Sequence, residues 1–434
     1  MVTYSAVATL RKLVDLSARM AFQWLPSASV DAYKLRRLRA VLEIAERHAP
    51  IYRERFRRAG IRARDLRSLD DLRHFPTVTR EEVTAAYPDG VLTRAPRSND
   101  VVFRTSGTSG LFMQIAYSAR ANDFLDAVYA RALFNVGYRP LDKLAYYWWE
   151  PKPKPLRSYE RLGLMRKHFL PIHPDPAQQL ADLDALRPDV VYHFPSSLLL
   201  IARLLEHDSR RHAFKPRLAI CHGELMTKEQ RRYLERVFGC PVYDQYGAQE
   251  FNRMGWDCAA HRGLHEDSDS VHIEVLRDGE PAGIGVEGEI VVSGLVNDLM
   301  PLVRYRIGDA GRMLGERCSC KRALRLYELT EGRLDDVLEL PDGRRVGPRT
   351  LAPRIEELRG FHQYRVRQTS PNAIEVLLVR DPGTPVSELE QQVTTVVREA
   401  LGAGVTIQVH SVPEIKLSAR GKLRKIERAR SIDR

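Results

Sequence analysis

The run Thr105-Ser106-Gly107-Thr108-Ser109-Gly110 follows a strand-like apolar stretch and has the composition of a loop that could hold an anion. Glycines free the backbone so that its N–H groups can face negative charge, and four hydroxyls add donors. An ordinary Ser/Gly turn has the same composition, and the GxxxxGK[ST] phosphate loop is absent. Further along, YDQYGAQE spans residues 243–250. There an aromatic ring could stack on a purine, Gly247 could let backbone approach a phosphate, and Glu250 could hold Mg²⁺. In RYRIGD, Asp309 reads as following a tight glycine turn, where it could accept hydrogen bonds from ribose hydroxyls or simply belong to the turn. GRLDD at residues 332–336 and LSARGKLRK, which holds Lys422, complete the set; a lone terminal lysine by itself reads as solvated.

Five cysteines are present, an odd number unevenly spread. Cys221 and Cys240 stand alone, whereas Cys258, Cys318 and Cys320 lie in the polar segments WDCAAHRGLHED and ERCSCKR. In a cytoplasmic protein, the compartment this sequence suggests, that distribution points to metal binding or free thiols before disulfides.

The elements that position these groups follow from patterning. Leu35, Leu38, Leu42 and Ala45 recur at helical spacing until Pro50, and FPTVTREEV carries a helix-starting capping box. The first 25 residues read as an amphipathic helix, because Arg11, Lys12, Asp15 and Arg19 interrupt what a signal peptide would keep apolar. Residues 101–330 alternate apolar runs (VVYHF, RLAICHG) with helical ones (SSLLLIARLLEH, KEQRRYLERVFG), which argues for α/β architecture with partly parallel sheets. A glycine-punctuated, strand-rich section follows from Gly283. Beyond GRLDD, IEVLLVRD and VTIQVHSV read as strands around a helix, SELEQQVTTVVREAL. The expected organisation is therefore a large N-terminal domain of mixed sheets and helices, residues 1–334. A small mobile α+β domain, residues 335–434, completes it.

Composition excludes some functions. Hydrophobic content of 44% and charged content of 29% are ordinary for a soluble protein, and no run of about 18 apolar residues suggests a membrane span. The net charge of +12 includes eleven arginines between Arg36 and Arg67. Acidic residues interleave them and no nucleic-acid-binding signature accompanies them, so a solvated helical face is expected. Such a field would also suit a polyphosphate substrate.

Taken in order, the five segments resemble those of the adenylate-forming superfamily: acyl-CoA synthetases, peptide-synthetase adenylation domains and luciferases. The likeness is nearest to the phenylacetate–coenzyme A ligase family. APIYRERFRRAGI, SLDDLRHFPTVTREE, FPSSLLLIARLL and the 25-residue run EGEIVVSGLVNDLMPLVRYRIGDAG carry it along the chain. The resemblance implies an ATP- and Mg²⁺-dependent enzyme that converts a carboxylic acid to an acyl-adenylate. It implies that residues 105–110 grip the β- and γ-phosphates, and that Glu224, Tyr246 and Gly247 surround adenine and the α-phosphate. Glu250 would bind Mg²⁺, Asp309 the ribose with Arg333 beside it, and Asp335 would be the hinge. Lys422 would be brought to the reacting carboxylate and α-phosphate during adenylation. In some family members segments like those of Cys258, His265, Cys318 and Cys320 look like a structural metal site, and a Cys₃His set suits Zn²⁺; His261 is an alternative fourth ligand.

Three features depart from the family. The phosphate loop runs into LFMQ, Gln249 stands where Ser or Thr usually precedes the acid, and GRRVGPRTLAPRIE after the hinge is unusual. The last leaves the acceptor open between coenzyme A, a carrier-protein thiol and an amine; a catalytically degenerate scaffold is the reading outside enzymology. Candidate walls for an aryl or heteroaryl acid are Trp148, Trp149, His193, Phe194, His222 and Tyr243. The sequence calls for neither nucleic acid nor membrane as partner and leaves a homodimer open.

Overall fold

The computed structural model describes residues 6–104, 113–148, 156, 158–173, 175–207, 212–315, 317–333, 337–356, 358–416, 423 and 425–428. The chain divides into two compact units. The first comprises residues 1–142, 154–166 and 243–328, and the second residues 143–153, 167–242 and 329–434. The expected domain junction, residues 334–336, lies outside the described residues.

In the first unit, helix Ser27–His48 buries Val30, Leu38, Val41, Leu42 and Ala45 on one stripe. Pro50 begins the next helix, Pro50–Ala59, where its missing N–H costs nothing. Thr79 caps helix Arg80–Ala86, with the capping box to Glu82 formed in both directions. The strands run in the order Glu280–Pro281, Val271–Arg277, Gly288–Gly294, Tyr305–Leu314, Leu326–Arg333, Leu264–Glu266, Asn252–Trp256, Val242–Ala248. Strand Tyr305–Leu314 corrects one expectation. Gly308 sits at φ +81° inside a continuous ten-residue strand, so Asp309 follows a bulge and not a chain-reversing turn.

The second unit holds the parallel part of the architecture. Strands Leu218–His222, Val190–His193, Leu144–Trp148 and Lys167–Pro171 lie side by side in that order and pair in parallel. Helices Pro176–Leu186, Pro195–His207 and Lys228–Phe238 cover one face, packing Leu183, Leu198, Ile201 and Leu234 against Ala145, Val191 and Ala219. The last hundred residues form a four-stranded sheet, ordered Thr406–Ser411, Ala373–Arg380, Phe361–Ser370, Ile426–Arg428. Helices Pro348–Glu356 and Val386–Leu401 accompany it. Among the described residues their buried cluster draws on residues from Leu338 to Ile426, including Val366, Val376, Leu378, Leu389 and Val393. Among the described residues no helix is long and apolar enough to cross a membrane.

Candidate active site and thiol cluster

Glu250 lies just after strand Val242–Ala248 and is 7% exposed. Its Oε1 accepts from the Arg80 guanidinium and from the Tyr305 hydroxyl, each at 3.3 Å. Both donors arrive through one backbone junction: Val78 N–H donates to Arg304 O at 3.1 Å, and Arg306 N–H donates to Val78 O at 2.9 Å. The Arg304 guanidinium tightens it by donating to the carbonyls of Arg73 and Phe75. Two donors on one oxygen fix the direction of the carboxylate, and an oriented carboxylate suits an Mg²⁺ ligand. Neither Arg80 nor Tyr305 could be found from spacing, since each is brought in by tertiary contact.

On the same strand, the Tyr246 hydroxyl donates to Asp309 Oδ2 at 2.5 Å, joining the adenine and ribose candidates. Gly247 is explained by packing: a Cβ there would lie 2.4 Å from Asn252 O, at a bulge between adjacent strands. The Tyr117 hydroxyl donates to Gln249 O at 2.6 Å, fixing the segment that leads into Glu250. Tyr243 packs against His261, ring centroids 5.6 Å apart. The phosphate-loop residues 105–110, the hinge residue Asp335, Trp149 and Lys422 lie outside the described residues; Arg333 ends strand Leu326–Arg333.

In the second unit the parallel strands present an aromatic face away from their helices. Tyr146 and Tyr192 stack at 4.7 Å and 8°, and Tyr192 lies 4.2 Å from His222. Phe194 stands 5.0 Å from His222, with Phe169 and Trp148 at 5.4 and 6.0 Å from Tyr146. Trp148, Tyr192 and His222 sit at the carboxyl ends of their strands, where open α/β sheets take ligands. His193 faces the other way. Strand alternation turns it to the helix-covered side, where it stacks 3.8 Å from Tyr147 and its Nε2 meets Gln179 Oε1 at 2.7 Å. Burial, with His222 nearby, holds His193 well below the ordinary imidazole range. The sequence reading missed Tyr146 and Tyr192; alternation from Trp148 points to Tyr146, whereas the candidate His193 is out of phase with Tyr192. Glu224, beyond His222, accepts from Ser196 N–H and Ser196 Oγ, each at 3.0 Å. It thereby caps the amino end of helix Pro195–His207.

The thiol cluster lies wholly in the first unit. Cys258, His265, Cys318 and Cys320 each offer a donor atom, all within 4.8 Å of one another. Cys258 Sγ and Cys318 Sγ are 3.6 Å apart, and Cys320 Sγ is 3.3 Å from His265 Nε2. Zn–S bonds of about 2.3 Å at tetrahedral angles demand sulfurs about 3.8 Å apart, so the set fits that ion. His261, the alternative fourth ligand, is not one of these four donors; its Nδ1 lies 2.6 Å from Asp257 Oδ2.

No protein-family profile matches the chain. The chain is 28% identical over 435 residues to a phenylacetate–coenzyme A ligase of Pseudomonas putida, covering 92% of this chain and 93% of that one. It is 28% identical over 360 residues to the phenylacetate–coenzyme A ligase of Escherichia coli K12, covering 79% and 81%. Among solved structures, a 2-hydroxyisobutyryl-CoA ligase in its postadenylation state superimposes with a TM-score of 0.77. That likeness has 21% identity and covers 94% of this chain and 92% of the other. An anthranilate CoA ligase in complex with anthranoyl-AMP gives a TM-score of 0.56 at 14% identity, covering 74% and 65%. The chain is thus a sequence relative of the phenylacetate–coenzyme A ligases and has the fold of the adenylate-forming ligases.

Proposed function

We propose that the protein is an AMP-forming acid–CoA ligase that activates an aryl carboxylic acid. The observation that carries the reaction class is the end-to-end match to phenylacetate–coenzyme A ligases. The aromatic face of Tyr146, Tyr192 and His222 supports the aryl part, because flat rings offer stacking surface to a flat acid.

In the first step a carboxylate oxygen of the acid attacks the α-phosphorus of ATP, and pyrophosphate leaves. In the second the thiol sulfur of coenzyme A attacks the acyl carbonyl, and AMP leaves with the bond electrons. The first step brings negative charges together, and a bound Mg²⁺ would offset that repulsion. Glu250, oriented by Arg80 and Tyr305, is the residue to hold it. Asp309, oriented by Tyr246, is suited to the ribose hydroxyls, and Lys422 to the transition-state charge. Cys258, His265, Cys318 and Cys320 would hold a structural Zn²⁺; metal analysis below about 0.3 zinc per chain would remove that assignment. Residues 335–434 act as the small domain that carries Lys422.

The test is an acid panel scored for pyrophosphate release, repeated with coenzyme A, amines or a carrier protein as acceptor. Release with aryl acids and thioester formation with coenzyme A are expected. Lys422→Ala should abolish release while ATP still binds, because the lost cation acts only in the transition state. Undiminished release from that variant refutes the role of Lys422, and release without thioester moves the acceptor to an amine or carrier protein.

A further inference from the structure

Glu356, the last residue of helix Pro348–Glu356, gathers three donors. Lys425 Nζ lies 2.7 Å and the Tyr364 hydroxyl 2.9 Å from its Oε1. The Gln230 amide donates to Oε2. Only 14% of the Glu356 side chain is exposed; burial pushes its carboxyl up, and Lys425 with the Gln230 and Tyr364 hydrogen bonds together outweighs this to keep it below the ordinary range. The two outer partners come from separate places. Gln230 is in the first turn of helix Lys228–Phe238, six residues past Glu224, and its Oε1 accepts from Thr227 N–H at 3.0 Å. Lys425 is three residues past Lys422, and its carbonyl accepts from Val366 N–H at 2.7 Å, which starts the parallel pairing of Ile426–Arg428 with Phe361–Ser370. A second tie runs alongside, from Arg203 Nη1 to Phe361 O at 2.9 Å.

A carboxylate needed only for stability inside the small sheet would be satisfied by Lys425 and Tyr364. The third bond, to a residue whose other amide atom already caps a helix, gives Glu356 a second address. We propose that Glu356 is a positioning residue: it fixes Lys425, three residues past Lys422 in the chain, against the helix that follows the His222–Glu224 motif. Its effect on the reaction rests on the adenylation reading above, in which Lys422 serves the first step.

Gln230→Glu tests this in the full-length protein. Glutamate is as good as glutamine in the Thr227 capping box, so the helix start survives while two carboxylates are set against each other. The exchange variant Gln230→Glu/Glu356→Gln restores a donor–acceptor pair with reversed polarity. Three quantities are measured: acid-dependent pyrophosphate release, thioester formation from supplied acyl-adenylate and coenzyme A, and hydrogen exchange across residues 228–238 and 423–428. Gln230→Glu should lower pyrophosphate release about tenfold at unchanged KM for ATP. Thioester formation should persist, exchange at 423–428 should rise, and the exchange variant should recover most of the loss. Equal loss of both half-reactions with a lowered Tm and no recovery would make the role merely structural and overturn the proposal. If wild-type protein releases no pyrophosphate with any acid, the function reading fails by itself. The bridge is then judged by hydrogen exchange alone, and wild-type protection at 423–428 in Gln230→Glu overturns it.

Discussion

In the first unit the segment His265–His272 is almost wholly out of solvent, and its charges find partners inside the protein. Arg131 donates to Asp267 at 2.5 Å and to Asp269 at 2.7 Å, Arg253 donates to Asp267 at 2.9 Å, and Lys34 holds both oxygens of Glu266 at 2.8 and 3.0 Å. In the second unit, by contrast, the aromatic face remains partly open: Trp148 is 36% and Phe169 38% exposed. Buried ions must be matched where they stand, so they lock the strands that carry them. These strands include Leu264–Glu266, which supplies His265 to the thiol cluster and pairs with Asn252–Trp256, itself paired to the strand of Tyr246. Apolar rings have no such requirement and can wait for a ligand to cover them. Matched buried ions are concentrated in the first unit, and partly open aromatic surface in the second.

The largest effect expected from this contrast is on folding. Arg131→Met leaves Asp267 and Asp269 buried without their main shared cation and should cost about 3–5 kcal/mol in urea denaturation. A loss below about 1 kcal/mol would mean that the network is dispensable and that the contrast is one of composition only.

Acid should expose the same difference more gradually. Burial alone would raise the Glu266 carboxyl, but Lys34, Arg325 and His272 outweigh it and hold it down to about 2, against an ordinary 4.5. A folded value below the unfolded one means that this contribution is complete above about 4.5 and is lost as pH falls toward about 2. Buried His272, held well below its ordinary range, adds in the same sense from about 6.5 downward. Tm measured from pH 7 to 3 should therefore fall most steeply below about 4.5, and Lys34→Met should move that fall to higher pH. An unchanged acid profile in Lys34→Met would separate Glu266 from its assigned partner.

What the sequence revealed and concealed divides along the same physical line. Thr79 and Glu82 were legible as a cap because both partners lie within one turn. The parallel strands and their helices were legible from apolar runs, and the Cys₃His donors from residue type. The buried ions were not: Lys34 precedes a basic segment that reads as a solvated face, and its partner is 232 residues away. Arg131 likewise meets Asp267 and Asp269 at separations of 136 and 138. Which side of a strand faces the aromatic surface was hidden too, because His193 and Tyr192 exchange places with a one-residue shift in phase.

The smallest expected effect lies at the open edge of the second unit. Trp148 contacts Tyr146 but keeps a third of its surface in solvent, so Trp148→Ala creates no closed cavity. Stability should change by less than about 1 kcal/mol. If the face receives the ring of an acid, the same substitution removes stacking area from the bound state, and KM for an aryl acid should rise about three- to tenfold. The KM of a short aliphatic acid should hardly move, because it has no flat surface to lose. A parallel rise for both acids would take Trp148 out of ring recognition, and a large loss of stability would move it from the open face into the core.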